Sequence, residues 1–236
     1  MMIAVGSQLA LRSDFRTRRG FSLQRAAFIL LFARSPLPSV QLRNKRSSSE
    51  APLKLKWKEL SPSTWNDFVK LFEKHGGVWG GCWCTFFHFT GPWKESKRNK
   101  NVKKRLVLNH CAHGVLVYNE KVPVGWVQFG PRGELPRIDA MKDYKPSSRG
   151  RFWRITCFFV DKDHRGRGVA KEGLRAALIA MRRHGARLVE AYPIDTRKQK
   201  CSPSTLYKGP LELFERFGFK KVGDLGRGRV VVQKRL

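Results

Sequence analysis

The sequence predicts a mixed α/β domain, and three local patterns carry that expectation. Phe152 to Val160 is a run of aromatic and branched residues of the β type. His164 to Ala170 follows as a glycine-containing turn. Beyond it Ala170, Leu174, Ala177, Leu178 and Met181 recur at helical spacing, with Lys171, Glu172, Arg175 and Arg182 turned elsewhere, until Gly185 offers a stop.

A strand that passes through a glycine turn into a helix N-terminus is suited to anions. Backbone N–H groups point outward, the helix dipole favours negative charge, and Arg165 and Arg167 stand beside them. Gly166 and Gly168 let a phosphate approach the backbone. The turn lacks the lysine and hydroxyl residue of a P-loop and does not read G-x-G-x-x-G. It is expected to cradle a pyrophosphate; a strand-to-helix turn with solvated arginines is the plain alternative for these residues alone.

The remaining elements follow from patterning. Leu53 to Leu60 alternates apolar and basic residues as an edge strand does. Ser61-Pro62 opens a helix with Trp65, Phe68, Val69 and Phe72 on one side, ended by His75-Gly76-Gly77. Residues 80–88 form an aromatic-rich loop, and Ser96 to His110 a basic helix. Gly114 to Tyr118 and Val122 to Phe129 make a hairpin around Asn119-Glu120-Lys121. Leu188 to Ile194 is a further strand, Pro210 to Phe217 a short helix, and Lys220 to Val222 with Arg229 to Gln233 a closing pair.

At 236 residues the chain accommodates one ordinary domain and an extension. Its formal charge of +30 attracts nucleic acid, anionic membrane or acidic ligands without naming one. Five irregularly spaced cysteines do not form a secreted disulfide framework and favour a reducing compartment, with the cytoplasm as the expected location. Residues 1–52 are arginine-rich and acid-poor, which fits an organellar (for example mitochondrial) transit peptide, a disordered arm, or translated sequence upstream of a true start. Ala26 to Ala33 is too short to cross a bilayer. The folded domain is expected over residues 53–236.

Arg165, Gly168 and Ala170 satisfy R-x-x-G-x-A, which resembles the acetyl-CoA signature of the GNAT acyltransferase superfamily. The element order β-α-α-β-β-β-α-β-α-β-β resembles that superfamily too. So do Gly-Cys-Trp-Cys at 81–84, Pro-Val-Gly-Trp at 123–126, Cys-Phe-Phe-Val at 157–160, Glu-Ala-Tyr-Pro-Ile-Asp at 190–195 and Phe-Glu-Arg-Phe-Gly-Phe at 214–219. These strings look like a bacterial-type subgroup whose acceptors are largely unassigned. The resemblance implies a central, mixed but mostly antiparallel twisted sheet flanked by helices, and an acetyl-CoA-dependent N-acetyltransferase acting on an amine. It implies that the central strand and the next one splay apart, so that Phe158, Phe159 and Val160 offer backbone groups to the pantetheine arm and the thioester carbonyl. Arg165, Gly166, Arg167, Gly168, Val169 and Ala170 would hold the pyrophosphate. The phenylalanine side chains are equally suited to core packing.

An ammonium acceptor must lose a proton before it attacks. Glu190 is the expected general base, Asp195 a second candidate, and His88 and His113 weaker ones; each also fits a plain ion-pair or hydrogen-bonding role. Relatives carry a tyrosine just before the final Gly-Phe to protonate the departing sulfur, but here that position is Phe214. Tyr207 is the substitute candidate, with packing as its alternative. Cys82, Cys84 and His88, with His110, Cys111 and His113, have no standard zinc spacing, so no metal is expected. Cys82, Trp83, Cys84, Phe86 and Phe87 are expected to line the acceptor side of the cleft or pack the loop. Two rival functions fit parts of the same sequence. A basic nucleic-acid binder would use the segment from Lys94 to Arg105, with Trp79, Trp83 and Phe86 for stacking; an acyl-CoA sensor would bind without turnover.

Overall fold

A computed structural model describes residues 53–91, 96–144, 150–198, 201–202 and 205–236. The extension read over residues 1–52 lies outside the described residues. The chain order is β1 (Leu55–Glu59), α1 (Trp65–Glu73), α2 (Ser96–Leu108), β2 (His113–Asn119), β3 (Val122–Pro131), β4 (Trp153–Val160), α3 (Val169–Arg183), β5 (Leu188–Ala191), α4 (Leu211–Arg216), β6 (Lys220–Asp224) and β7 (Val230–Arg235). This is the order expected from the sequence. The strands form one seven-stranded sheet in the spatial order β1-β2-β3-β4-β5-β7-β6. Every neighbouring pair is antiparallel except β4 and β5.

Both faces of the sheet are covered, which explains the near-continuous apolar runs in β2 and β3. On one face Leu174, Ala177 and Met181 of α3 pack against Val115, Val127, Ile155 and Val189. On the other, Phe68, Leu71 and Phe72 of α1 meet Leu116, Trp126 and Cys157. Helix α1 is started by a reciprocal turn. The Ser61 N–H donates to Thr64 Oγ1 at 2.8 Å, and Thr64 Oγ1 donates to the Glu59 carbonyl at 2.8 Å.

Element ends shift by a few residues from the expectation, and one such shift bears on the site. The strand read over Leu188 to Ile194 ends at Ala191, and Ile194 makes only isolated bridges to Pro210 and Arg229. Pro193 has no N–H to continue a ladder, which is the local reason.

Among the described residues two lysines are buried. Lys103 Nζ reaches His88 Nε2 at 3.2 Å and the Cys84 carbonyl at 3.4 Å, while its charge lies 5.4 Å from the Trp126 ring. Lys208 is 3% exposed, and its Nζ has no hydrogen-bond partner. Burial lowers each lysine to about 8, from 10.5. The unfolded chain therefore retains a proton that the fold releases between about pH 8 and 10.5, and this contribution to stability grows as pH rises through that window. For fully buried Lys103 the gain is on the order of 3 kcal/mol.

Urea unfolding of the Lys103→Met, Lys208→Met double variant will show a smaller rise in stability between pH 8 and 10 than the parent. A Cβ at Gly173 would lie 2.7 Å from Val127 Cγ2, so Gly173→Val will destabilise by about 1–3 kcal/mol. Gly133→Ala, where no atom lies within 4 Å, will be nearly neutral in the same assay.

Candidate active site

Strands β4 and β5 exchange only three residue pairs, Trp153 with Val189, Arg154 with Glu190 and Ile155 with Ala191. From Thr156 to Val160, β4 is held by β3 alone. The Asp161 N–H donates to the Val124 carbonyl at 2.9 Å on the β3 side. Strand alternation then turns the peptide groups of Phe158 and Val160 toward the side that β5 has left. The gap opens into a cavity of about 900 Å³. Its walls are Phe158–Val160, the turn from His164 into α3, and a segment including Tyr207, Gly209 and Pro210.

The turn has the conformation an anion requires. Gly166 and Gly168 adopt φ of +74° and +84°, which side chains disfavour, and a Cβ at either would meet nothing within 4 Å. The space beside the backbone is therefore open. Gly168 is the N-cap of α3 and supplies no side-chain cap to the first-turn N–H groups. Arg165 Nε donates to the Val160 carbonyl at 3.3 Å, which ties the turn to the end of β4. Phe158, Phe159, Val160, Arg165, Gly166, Gly168, Val169 and Ala170 all line the cavity; Arg167 does not.

Two histidines that the sequence alone does not single out also line it. His75 Nε2 lies 3.7 Å from Asp161 Oδ1, and His164 Nδ1 lies 3.9 Å from the same oxygen. The His75 ring meets Phe159 edge-on at 4.9 Å. Asp161 is 1% exposed and accepts from Lys74 Nζ at 2.6 Å and the Asp163 N–H at 3.0 Å. Burial opposes its ionisation, but these donors outweigh burial and hold its carboxyl below the usual range. In the sequence His75 reads only as part of a helix stop, because its partner is distant in the chain.

Tyr207 lines the cavity, and burial pushes its phenol upward, so it holds its proton. Phe214 is fully buried, edge-on to Phe158 at 5.8 Å and to Phe219 at 5.1 Å. Glu190 is not brought to the cleft. It is fully buried, and its oxygens accept from Tyr144 Oη at 2.5 Å, Tyr192 Oη at 2.6 Å and Gln233 Nε2 at 2.9 Å. Asp195 also stays away from the cavity, paired with Arg197 Nε at 2.8 Å. His88 is buried, with Nδ1 3.0 Å from the Glu134 carbonyl, and His113 Nδ1 lies 2.8 Å from Glu134 Oε2.

A second, smaller pocket of about 170 Å³ adjoins the cavity and shares Trp79 and Tyr207 with it. Cys82, Cys84, Phe86, Phe87 and Cys157 complete its wall. Of the two roles expected for Trp83, packing rather than lining is the one observed: it lies in the core, stacked on Phe72 at 5.8 Å. The thiols differ in character. Burial pushes Cys82 up to about 11. Burial also opposes ionisation of Cys84, but the Cys157 thiol at 3.4 Å, the Lys103 charge and the Trp126 N–H at 3.2 Å outweigh it and hold Cys84 below its ordinary value. Among the described residues no group of three or more His, Cys, Asp or Glu side chains is arranged to hold a metal. The basic helix is partly committed internally, with Lys103 buried and Lys100 paired to Glu73 at 2.6 Å. No helix among the described residues is long and apolar enough to cross a membrane.

No curated protein sequence matches this chain. Among solved structures it is similar to a GNAT-family acetyltransferase from Streptococcus agalactiae 2603, at 14% identity over 78% of this chain and 97% of that one, with a TM-score of 0.49. It is also similar to an acetyltransferase from Thermus thermophilus, at 16% identity over 78% and 98% of the two chains, with a TM-score of 0.45. A third is Arabidopsis thaliana NAA60 in complex with acetyl-CoA, at 16% identity over 77% and 99%, with a TM-score of 0.44. The family model for the acetyltransferase (GNAT) family matches residues 78–219, which span β2 to α4, the strand gap and the glycine turn. The chain belongs to the GNAT acetyltransferase family.

Proposed function

We propose that the protein transfers an acetyl group from acetyl-CoA to an amine, binding both reactants in the gap between β4 and β5. The observation that carries this reading is the joining of an open strand edge, Phe158 to Val160, to a glycine turn and a helix N-terminus around one cavity. Acetyl-CoA supplies an activated acetyl group as a thioester. The α3 N-terminus and Arg165 match its pyrophosphate in charge and donor type, and the open strand edge matches the amides of its pantetheine arm.

The chain's own groups then have definable tasks. A backbone N–H of Phe158 or Val160 donates to the thioester carbonyl oxygen, where negative charge grows as the amine attacks. His75, whose Nε2 lies 3.7 Å from Asp161 Oδ1, takes the proton released by the amine nitrogen as the carbon–nitrogen bond forms. Tyr207 Oη gives a proton to the sulfur as the carbon–sulfur bond breaks. Charge and protons balance, the products being an amide and free CoA. Glu190 takes a positioning role: it ties β5 to Gln233 of β7 and to Tyr144, whose hydroxyl in turn accepts from Arg154 of β4 at 3.2 Å. Among the described residues the walls of both cavities contain no aspartate or glutamate, which favours His75 over the carboxylates as base.

Calorimetry of the full chain tests the cofactor site. Acetyl-CoA is expected to bind, and an Arg165→Ala, Gly168→Asp double variant to lose that binding; no binding by the folded parent removes the reading. Binding without transfer to any amine would favour a sensor. Once an acceptor is known, His75→Gln is expected to lower kcat by about 10²–10⁴-fold. Tyr207→Phe is expected to cost less, about 10²-fold, because a thiolate with a pKa near ~8.5 is already a tolerable leaving group.

A further inference from the structure

We infer that the acceptor is a primary monoamine bearing one aromatic ring on a short chain, with the ring seated in the small pocket behind Tyr207. This inference rests on the acetyltransferase reading above and names its substrate class.

Position comes first. Trp79 and Tyr207 form part of the wall of both the cleft and the pocket. Cys157 in the pocket wall directly precedes Phe158 at the strand gap. A group filling the pocket therefore has its substituent directed to the site where the thioester is expected.

Size and surface chemistry select the ring. The pocket volume of about 170 Å³ compares with the ~150 Å³ apolar cavity that accepts benzene. Among the described residues its wall combines four aromatic rings with three thiols and the Tyr207 hydroxyl. The rings are already set in mixed orientations: Trp79 is edge-on to Tyr207 at 5.7 Å, and Phe86 is edge-on to Phe87 at 5.1 Å. An inserted ring can therefore meet both faces and edges.

Charge restricts the acceptor to one amine. Among the described residues no carboxylate lines the pocket. Behind it the Lys208 ammonium sits 5.7, 5.8 and 5.9 Å from the Phe87, Tyr207 and Tyr192 rings and has no hydrogen-bond partner. Lys103 Nζ lies 3.4 Å from the carbonyl of Cys84, another wall residue. A second ammonium on the acceptor would meet this positive background with no counter-charge. The reacting amine is held at the strand gap, near His75, where the same background favours its neutral, nucleophilic form.

The test measures kcat/KM of the full chain with acetyl-CoA for 2-phenylethylamine, n-butylamine and spermidine, beside calorimetric acetyl-CoA binding. Burial of the ring predicts a preference for 2-phenylethylamine over n-butylamine of at least about 10-fold, and spermidine poorer still. Cys82→Phe, which fills the pocket, is expected to collapse that preference while acetyl-CoA binding reports a folded protein. Equal or better use of n-butylamine or spermidine, or no transfer to any of them with acetyl-CoA bound, overturns the inference and leaves the cofactor site standing. Failure to bind acetyl-CoA overturns the acetyltransferase reading itself.

Discussion

Everything at this site depends on the parting of two parallel strands in the middle of a sheet. Strands β4 and β5 hold each other for three residue pairs, and then the chain after β5 turns away at Tyr192-Pro193. Proline cannot donate to a ladder, so the separation is written into the backbone. An unpaired strand edge is ordinarily a liability in a folded protein. Here the segment from Thr205 to Pro210 and the N-terminus of α3 enclose it, and the unpaired peptide groups of β4 become the floor of a cleft. The sheet supplies rigidity on the β3 side, where β4 remains paired along its length.

The distribution of charge around that floor is the second organising feature. The acids near it are withdrawn from the cavity surface. Glu190 is consumed by two tyrosines and a glutamine, Asp139 by Arg154 and Arg132, and Asp161 by Lys74 and a backbone N–H. Among the described residues, those that face the cleft combine the cations Arg165 and Lys171 and two histidines with aromatic and aliphatic side chains. Such a surface accommodates a polyanion at one end and an apolar group at the other. Both cleft histidines lie within 4 Å of a single oxygen of the Asp161 carboxylate.

The fold was readable because its signals are local. The run Trp153 to Val160, the turn through Gly166 and Gly168, and the apolar stripe of α3 each announce their conformation within a few residues, and the observed elements occur in the expected order. The family motif Arg165, Gly168 and Ala170 is equally local, and all three residues lie on the cavity wall. Less legible were side-chain roles that depend on which face a residue presents. Glu190 lies on the expected strand, but its face leads into a tyrosine-lined interior. Trp83 sits beside two pocket cysteines in sequence yet turns into the core, with a left-handed backbone φ of +48°.

By itself, the sequence determined the order of strands and helices, the glycine turn and the amphipathic face of α3, since period, composition and conformational preference are properties of short segments. Only the tertiary structure decided that His75, from the end of α1, stands 3.7 Å from Asp161, which follows β4. It also decided that thiols from positions 82, 84 and 157 share a pocket with Tyr207. These contacts join segments far apart in the chain, and their geometry is set by how α1 packs on the sheet and by where β4 and β5 part.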